Sequence, residues 1–119
     1  MKILVLGAGS VGSSLAENLA HEQTDIIVID KNPVLLRELQ DRLDIATVQG
    51  HAAHPKTLRK AGAEDADMII AVTDSDEINM LACQMAWSLF RVTTKICRIR
   101  ESSYVQNASK LFNKENVAV

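Results

Sequence analysis

Apolar positions along the chain alternate between two periods. Residues 2 to 6 and Asp25 to Ile29 are short apolar runs, and Ala66 to Val72 is an unbroken one, of the kind buried on both faces of a parallel sheet. Between the first runs the period lengthens to that of a helix. Val11, Leu15 and Leu19 share one face of a helix over residues 10 to 22, and Leu36, Leu39 and Leu43 line a second helix that Pro33 opens. Ile45 to Val48 predicts a third, shorter strand. Gly50-His51-Ala52-Ala53 reads as a loop, after which His54-Pro55 opens a short helix carrying Leu58 and Ala61 and closed by Gly62. A helix over Asp76 to Phe90, a strand around Lys95 to Ile99, a helix over Ser102 to Phe112 and a terminal apolar run, Asn116 to Val119, complete the alternation. Right-handed crossovers turn this order into an α/β fold, a doubly wound parallel sheet of six strands in the order 3-2-1-4-5-6 with helices on both faces. Ligands of such sheets sit beyond the carboxyl ends of the strands, where the order reverses between strands one and four.

Composition narrows the class. With 119 residues, 47% of them hydrophobic, residues 1–119 make one domain able to bury a core. The 13 basic and 15 acidic residues give a net charge of −2, and no basic block suggests a nucleic-acid footprint. Cys83 and Cys97 lie in apolar segments outside any Cys-x-x-Cys pair, which predicts buried thiols in a reducing compartment rather than a disulfide or zinc framework. No run approaches the roughly 20 apolar residues that cross a bilayer, and the N-terminus lacks the features of a signal peptide. The expectation is a soluble, cytoplasmic domain without direct membrane insertion. The apolar ending reads as a strand with nothing packed behind it, so the chain is expected to be a fragment of a longer protein.

The first strand runs into Gly7-Ala8-Gly9-Ser10-Val11-Gly12 and the second ends on Asp30. A Gly-x-Gly-x-x-Gly string between a strand and a helix, with an acidic residue about 20 positions on, is the fingerprint of a Rossmann-like dinucleotide site. Gly7 permits the tight turn, Gly9 leaves room for a pyrophosphate, and Gly12 lets the helix approach the strand. The helix N-terminus offers N–H groups to the phosphates, and Asp30, with Lys31 beside it, would meet ribose hydroxyls. The other strand ends bring Gly50, His51 and Ala52, then Thr73 and Asp74, then Arg98 and Arg100, to the same crevice. Thr73 and Asp74 are equally suited to capping the following helix, with Asp76 and Glu77 in its first turn; Asp74, Asp76 and Glu77 together could hold a ribose or a cation. Arg98 and Arg100 share strand parity and suit a phosphate or a neighbouring carboxylate. His51 and His54 lack a third metal ligand, and His54 suits an N-cap.

Helix 76–90 carries two apolar stripes. Ile78, Ala82, Met85 and Leu89 suit the sheet, whereas Met80, Cys83, Trp87 and Phe90 lie about half a turn away and predict a subunit interface. The chain lacks the equipment of a dehydrogenase: Tyr104 has Ala108 four positions later in place of a Lys, and there is no Gly-Lys-Ser/Thr phosphate loop. A ligand-sensing module therefore fits better than the alternative, the cofactor-binding half of an NAD-dependent oxidoreductase with its catalytic domain missing.

The strings Lys2-Ile3-Leu4-Val5-Leu6-Gly7-Ala8-Gly9, Val48-Gln49-Gly50-His51, Ala61-Gly62-Ala63, Ala66-Asp67-Met68, Ala71-Val72-Thr73, Asp76-Glu77, Asn79-Met80 and Arg98-Ile99-Arg100 resemble the N-terminal nucleotide-binding domain of Trk potassium-uptake regulators, the KTN or RCK family. The resemblance covers essentially the whole chain. It implies a non-enzymatic regulatory domain that binds NAD(H), or ATP or ADP, and gates a potassium-transporting, TrkH-like membrane subunit, which would hold it at the inner face of the cell membrane. It also implies a homodimer or larger ring, here through helix 76–90. Carried onto this sequence, Gly7, Gly9, Ser10, Val11 and Gly12 would meet the pyrophosphate, Asp30 the adenosine ribose, and Gly50, His51 and Ala52 the adenine, with Ala8 and Lys31 also among the cofactor-binding residues. Thr73 and Asp74, with Arg98 beside them, would meet the distal nucleoside.

Overall fold

In the computed structural model, which describes residues 1–21 and 23–112, five parallel strands form one sheet. They are β1 (Lys2–Leu6), β2 (Asp25–Asp30), β3 (Ala46–Gln49), β4 (Met68–Ala71) and β5 (Thr94–Cys97), in the order β3-β2-β1-β4-β5. This is the expected doubly wound order; the expected sixth strand, Asn116 to Val119, lies outside the described residues. Register places Leu6 opposite Ile29 and Ala71, so the ends of the three central strands are level.

The strands read as continuous apolar runs because both faces are covered. Ile3, Val5, Ile26, Val28 and Ile70 lie beneath α1 (Ser10–Leu19) and α2 (Pro33–Arg42), packed with Ala16, Leu36 and Leu39. Leu4, Leu6, Ile27, Ile29 and Ile69 point the other way, toward α3 (Pro55–Lys60) and α4 (Asp76–Phe90). Alternate residues of one strand thus belong to different cores, as the pleat requires. On α1 the buried face is Gly12 and Ala16 flanked by Leu15 and Leu19, while Val11 is exposed, so Val11 is not part of the core stripe.

The two expected stripes of α4 are corrected to one wide buried arc. Cys83 and Phe90, assigned to a free interface, are buried in the core beside Ala82, Met85 and Ala86. The helix packs on β4, β5 and the short 3-10 turn Ala63–Asp65 at once, which requires more than one narrow stripe. Its exposed apolar residues are instead Leu81 and Leu89. Trp87 is half-buried, with the Arg91 guanidinium 4.9 Å and the Lys95 ammonium 5.0 Å from its ring centroid.

On edge strand β5 Lys95 is buried, donating to Val92 O and Thr93 O at 3.0 Å, and Ile96 is exposed. The helix expected over 102–112 is two pieces, α5 (Ser102–Gln106) and α6 (Ala108–Leu111). Asn107 separates them, its side chain donating to Ser103 O at 2.8 Å in place of a continuing helical turn. Both cysteines are buried free thiols. Among the described residues no helix is long and apolar enough to cross a membrane.

Candidate functional site

The carboxyl ends of the strands enclose a cleft of about 380 Å³, within the range of small-molecule sites. Gly7, Gly9, Ser10 and Val11 form one side, Asp30 and Lys31 the next, Gly50, His51 and Ala52 one end, and Thr73, Asp74, Arg98 and Arg100 the other. Ala8 and Gly12 stand behind this lining. Ile29, Asn32, Leu35, Val72 and Ile78 also line it and supply its apolar surface. The sequence pattern does not single these out, because Leu35 lies beside the buried stripe of α2 and Ile78 reads as sheet-facing.

The three glycines of the loop differ in what they permit. Gly7 has φ +111°, and a Cβ there would lie 2.9 Å from Val72 O; a Cβ on Gly12 would collide with Gly7 O. Both are required by the fold. A Cβ on Gly9 would meet nothing within 4 Å. The fold itself therefore leaves Gly9 free to be larger. Gly9 also occupies the N-cap of α1, no side chain caps that helix, and its first turn holds no acidic residue. Gly50 is small for another reason, since a Cβ there would lie 2.8 Å from Thr57 Cγ2 in α3.

Asp30 joins three strand ends. Its Oδ2 accepts the Ala8 N–H and its Oδ1 the Asn32 N–H, both at 2.8 Å, while its carbonyl accepts the Gly50 N–H at 3.0 Å. Asn32 in turn caps α2, accepting the Val34 N–H at 2.9 Å. At the end of β3, His51 Nδ1 accepts the Ala53 N–H at 3.1 Å, and the His51 and His54 rings stack with centroids 4.3 Å apart. His54 stands at the N-cap of α3 but its side chain makes no capping bond, contrary to the expectation.

The far end is organised by α4. Ser75, not Thr73 or Asp74, caps this helix, its Oγ accepting the Ile78 N–H at 3.2 Å. Of the three carboxylates grouped in the sequence only Asp74 lines the cleft. Asp76 accepts the Arg100 N–H at 3.0 Å and the Glu101 N–H at 2.7 Å, and these bonds, with the Arg100 and Arg98 charges, hold its carboxyl below its ordinary pKa. Glu77 lies beside Tyr104 and its carboxylate raises the pKa of that hydroxyl. Arg98 and Arg100 follow the last residue of β5, so strand parity does not orient them, yet both reach the cleft. Arg98 Nη2 donates to Val72 O at 3.1 Å and Thr73 O at 2.6 Å, and its buried Nε has no partner among the described residues. Asn79, fully buried in the first turns of α4, bonds to both Thr73 and Arg98 and is absent from the expected site.

The chain is similar to known proteins. The Trk system potassium uptake protein TrkA of Haemophilus influenzae is 53% identical over 119 residues, 100% of this chain and 26% of that protein. The chain thus spans about a quarter of the length of the curated relatives it matches. Among solved structures, the TrkA-N domain of the Escherichia coli inner membrane protein ybaL superposes with a TM-score of 0.83 over 99% of this chain and 85% of that one, at 24% identity. The Shewanella denitrificans Kef CTD in AMP bound form gives a TM-score of 0.74 over 99% of this chain and 70% of that one, at 16% identity. Both show likeness of fold. A family model described as the TrkA-N domain matches residues 3–117, and the chain belongs to that family.

Proposed function

We propose that the domain is a nucleotide sensor: it binds NAD(H), or ATP or ADP, in the cleft and controls a potassium-transporting, TrkH-like membrane subunit. The observation that carries the nucleotide reading is Gly9, a glycine that the fold does not need, at the uncapped N-terminus of a helix facing the cleft. Free N–H groups and the positive end of the helix dipole there suit a pyrophosphate. Asp30 is placed to accept ribose hydroxyls, the Gly50-His51-Ala52 end suits the adenine, and Thr73, Asp74 and Arg98 face the distal nucleoside. The AMP of the related fold supports an adenine nucleotide.

The potassium role is supported by the relatives' names, and a peripheral place at the inner membrane face would follow from docking on the membrane subunit. Assembly into a homodimer or ring through α4 is the natural way to cover Leu81 and Leu89.

Calorimetric titration of the chain with NADH, NAD, NADPH, ATP and ADP tests the first step. Submicromolar to micromolar binding of at least one is expected, and binding of none overturns the reading. Potassium uptake by cells carrying Gly9→Val in the corresponding full regulator tests the second. Uptake that ignores nucleotide binding would break the link.

A further inference from the structure

One face of α4 descends along β5. Asn79 Nδ2 donates to Arg98 O at 2.9 Å, Cys83 Sγ donates to Ile96 O at 3.7 Å, and the Trp87 ring lies beside the Lys95 ammonium. These helix residues are spaced four apart, hence on one face, and their partners run back down the strand. Cys97 falls between the partners of Asn79 and Cys83. Strand parity turns it toward the helix, because Cys97 and Lys95 are buried whereas Ile96 between them is exposed. Cys83 and Cys97 therefore lie side by side in one core, both of them free thiols.

The two thiols are not equivalent. When Cys97 ionises, Cys83 turns its S–H toward the thiolate, and that bond holds the Cys97 thiol below its ordinary pKa while pushing Cys83 up, with burial adding to the rise. Cys97 is thus the sulfur that ionises first, and the thiolate is the nucleophile. It is also next to an opening, since the following residue, Arg98, lines the cleft.

We propose that Cys83 and Cys97 form a redox modification site, a dithiol that hydrogen peroxide converts to an internal disulfide tying α4 to β5. The inference goes beyond the nucleotide reading and does not depend on it. The Cys97 thiolate attacks the peroxide: an S–O bond forms, the O–O bond breaks and hydroxide leaves, so the sulfur loses two electrons to the peroxide and becomes a sulfenic acid. The negative charge that kept the Cys83 proton in place is then gone. The Cys83 sulfur attacks Cys97, the S–S bond forms and the S–O bond breaks, and the departing hydroxide takes the Cys83 proton as water. The hydroxide of the first step and the proton that Cys97 gave up make a second water. Both sulfurs are buried, so the oxidant must be small and uncharged. Such a pair suits a reducing compartment, where disulfides are transient and report oxidation.

The test is treatment of the folded chain with hydrogen peroxide, followed by thiol counting in denaturant, nonreducing peptide mapping and thermal melts. Both thiols are expected to disappear together, the map to join Cys83 to Cys97 within one chain, and dithiothreitol to restore both. Closing a loop of about 15 residues removes freedom from the unfolded chain, so the oxidised form is expected to melt higher by about 5 °C or more. Glutathione disulfide, bulky and charged, is expected to leave both thiols free. In Cys83→Ala the sulfenic acid has no partner and dimedone is expected to trap it on Cys97, whereas Cys83 in Cys97→Ala is expected to stay unlabelled under the same exposure. If an alanine variant does not fold, the wild-type map and melts decide alone. Thiols that persist in the folded protein, disulfides between chains, a glutathione adduct, dimedone on Cys83 rather than Cys97, or an oxidised form that melts no higher than the reduced one overturns the proposal.

Discussion

The Asp30 carboxylate holds the glycine loop: its Oδ2 accepts the Ala8 N–H at 2.8 Å, across the gap between the ends of β1 and β2. A second oxygen is held by Asn32, so the carboxylate cannot swing away from an incoming ribose without releasing two backbone groups. A 2′-phosphate on that ribose would meet this fixed negative charge. At about 4 Å and an effective dielectric near 20, each unit pair costs roughly 4 kcal/mol, and solvent screening at the cleft mouth reduces this. NADH is expected to bind tighter than NADPH by about tenfold or more. Equal dissociation constants for the two would remove Asp30 from the ribose site.

Gly9 and Gly12 are expected to fail differently when enlarged. Gly9→Val adds atoms where the protein has none within 4 Å, so the variant should fold and melt like the wild type while losing nucleotide binding. Gly12→Ala drives a Cβ into Gly7 O and should lower stability by about 1–3 kcal/mol, with binding lost as a consequence. Thermal melts and calorimetry on the pair separate the two. A Gly9→Val protein that binds NADH as before would place the ligand elsewhere.

The glycine motif, Asp30 and the strand order are legible in the sequence because local geometry demands them. Gly7 needs its φ of +111°, Gly12 needs the space, and each parallel strand needs two apolar faces. Asn79 is not legible. It sits in an apolar helix with partners six and nineteen positions away, and nothing in its neighbours reveals a four-bond network. The face of α4 is misread for a related reason: periodicity gives the direction of a stripe, not how many elements cover it. The burial of Lys95 is not legible either, because its ammonium is held by the Val92 and Thr93 carbonyls beside the Trp87 ring, contacts that strand periodicity does not signal.

Asp76 ties the segment after β5 to the N-terminus of α4 through the Arg100 and Glu101 N–H groups, and its pKa lies below the ordinary 3.8. A carboxylate with a depressed folded pKa adds stability that is present above the unfolded value and lost as pH falls through the folded one. Below about pH 4 the Arg100 and Glu101 amides should therefore lose protection first. Hydrogen exchange from pH 6 to pH 3 should show this in the wild type and not in Asp76→Ala, where both amides are unprotected throughout. Equal protection in the two proteins would mean that the clamp contributes nothing.

Self-association through α4 is expected to depend on Leu81 and Leu89 rather than on Cys83 and Phe90. The first two are 50% and 54% exposed, whereas the second two are buried in the core of one subunit. Trp87 stands at the edge of this surface, partly covered by Arg91 and Lys95, so its replacement would disturb those cations as well as any interface. Leu81→Glu and Leu89→Glu are cleaner, because each puts a charge at an exposed helix position that tolerates it in a monomer. If the surface is an interface, each change should weaken association by about 1 kcal/mol or more, and the pair together should give a monomer at concentrations where the wild type is assembled. Melting temperature measured in the monomer range should stay unchanged, since neither side chain is in the core. Nucleotide affinity should also stay unchanged, because the cleft lies at the carboxyl ends of the strands and is lined within one chain. Light scattering across a concentration series decides it: a wild type that stays monomeric, or a double variant that assembles as before, removes α4 from the interface.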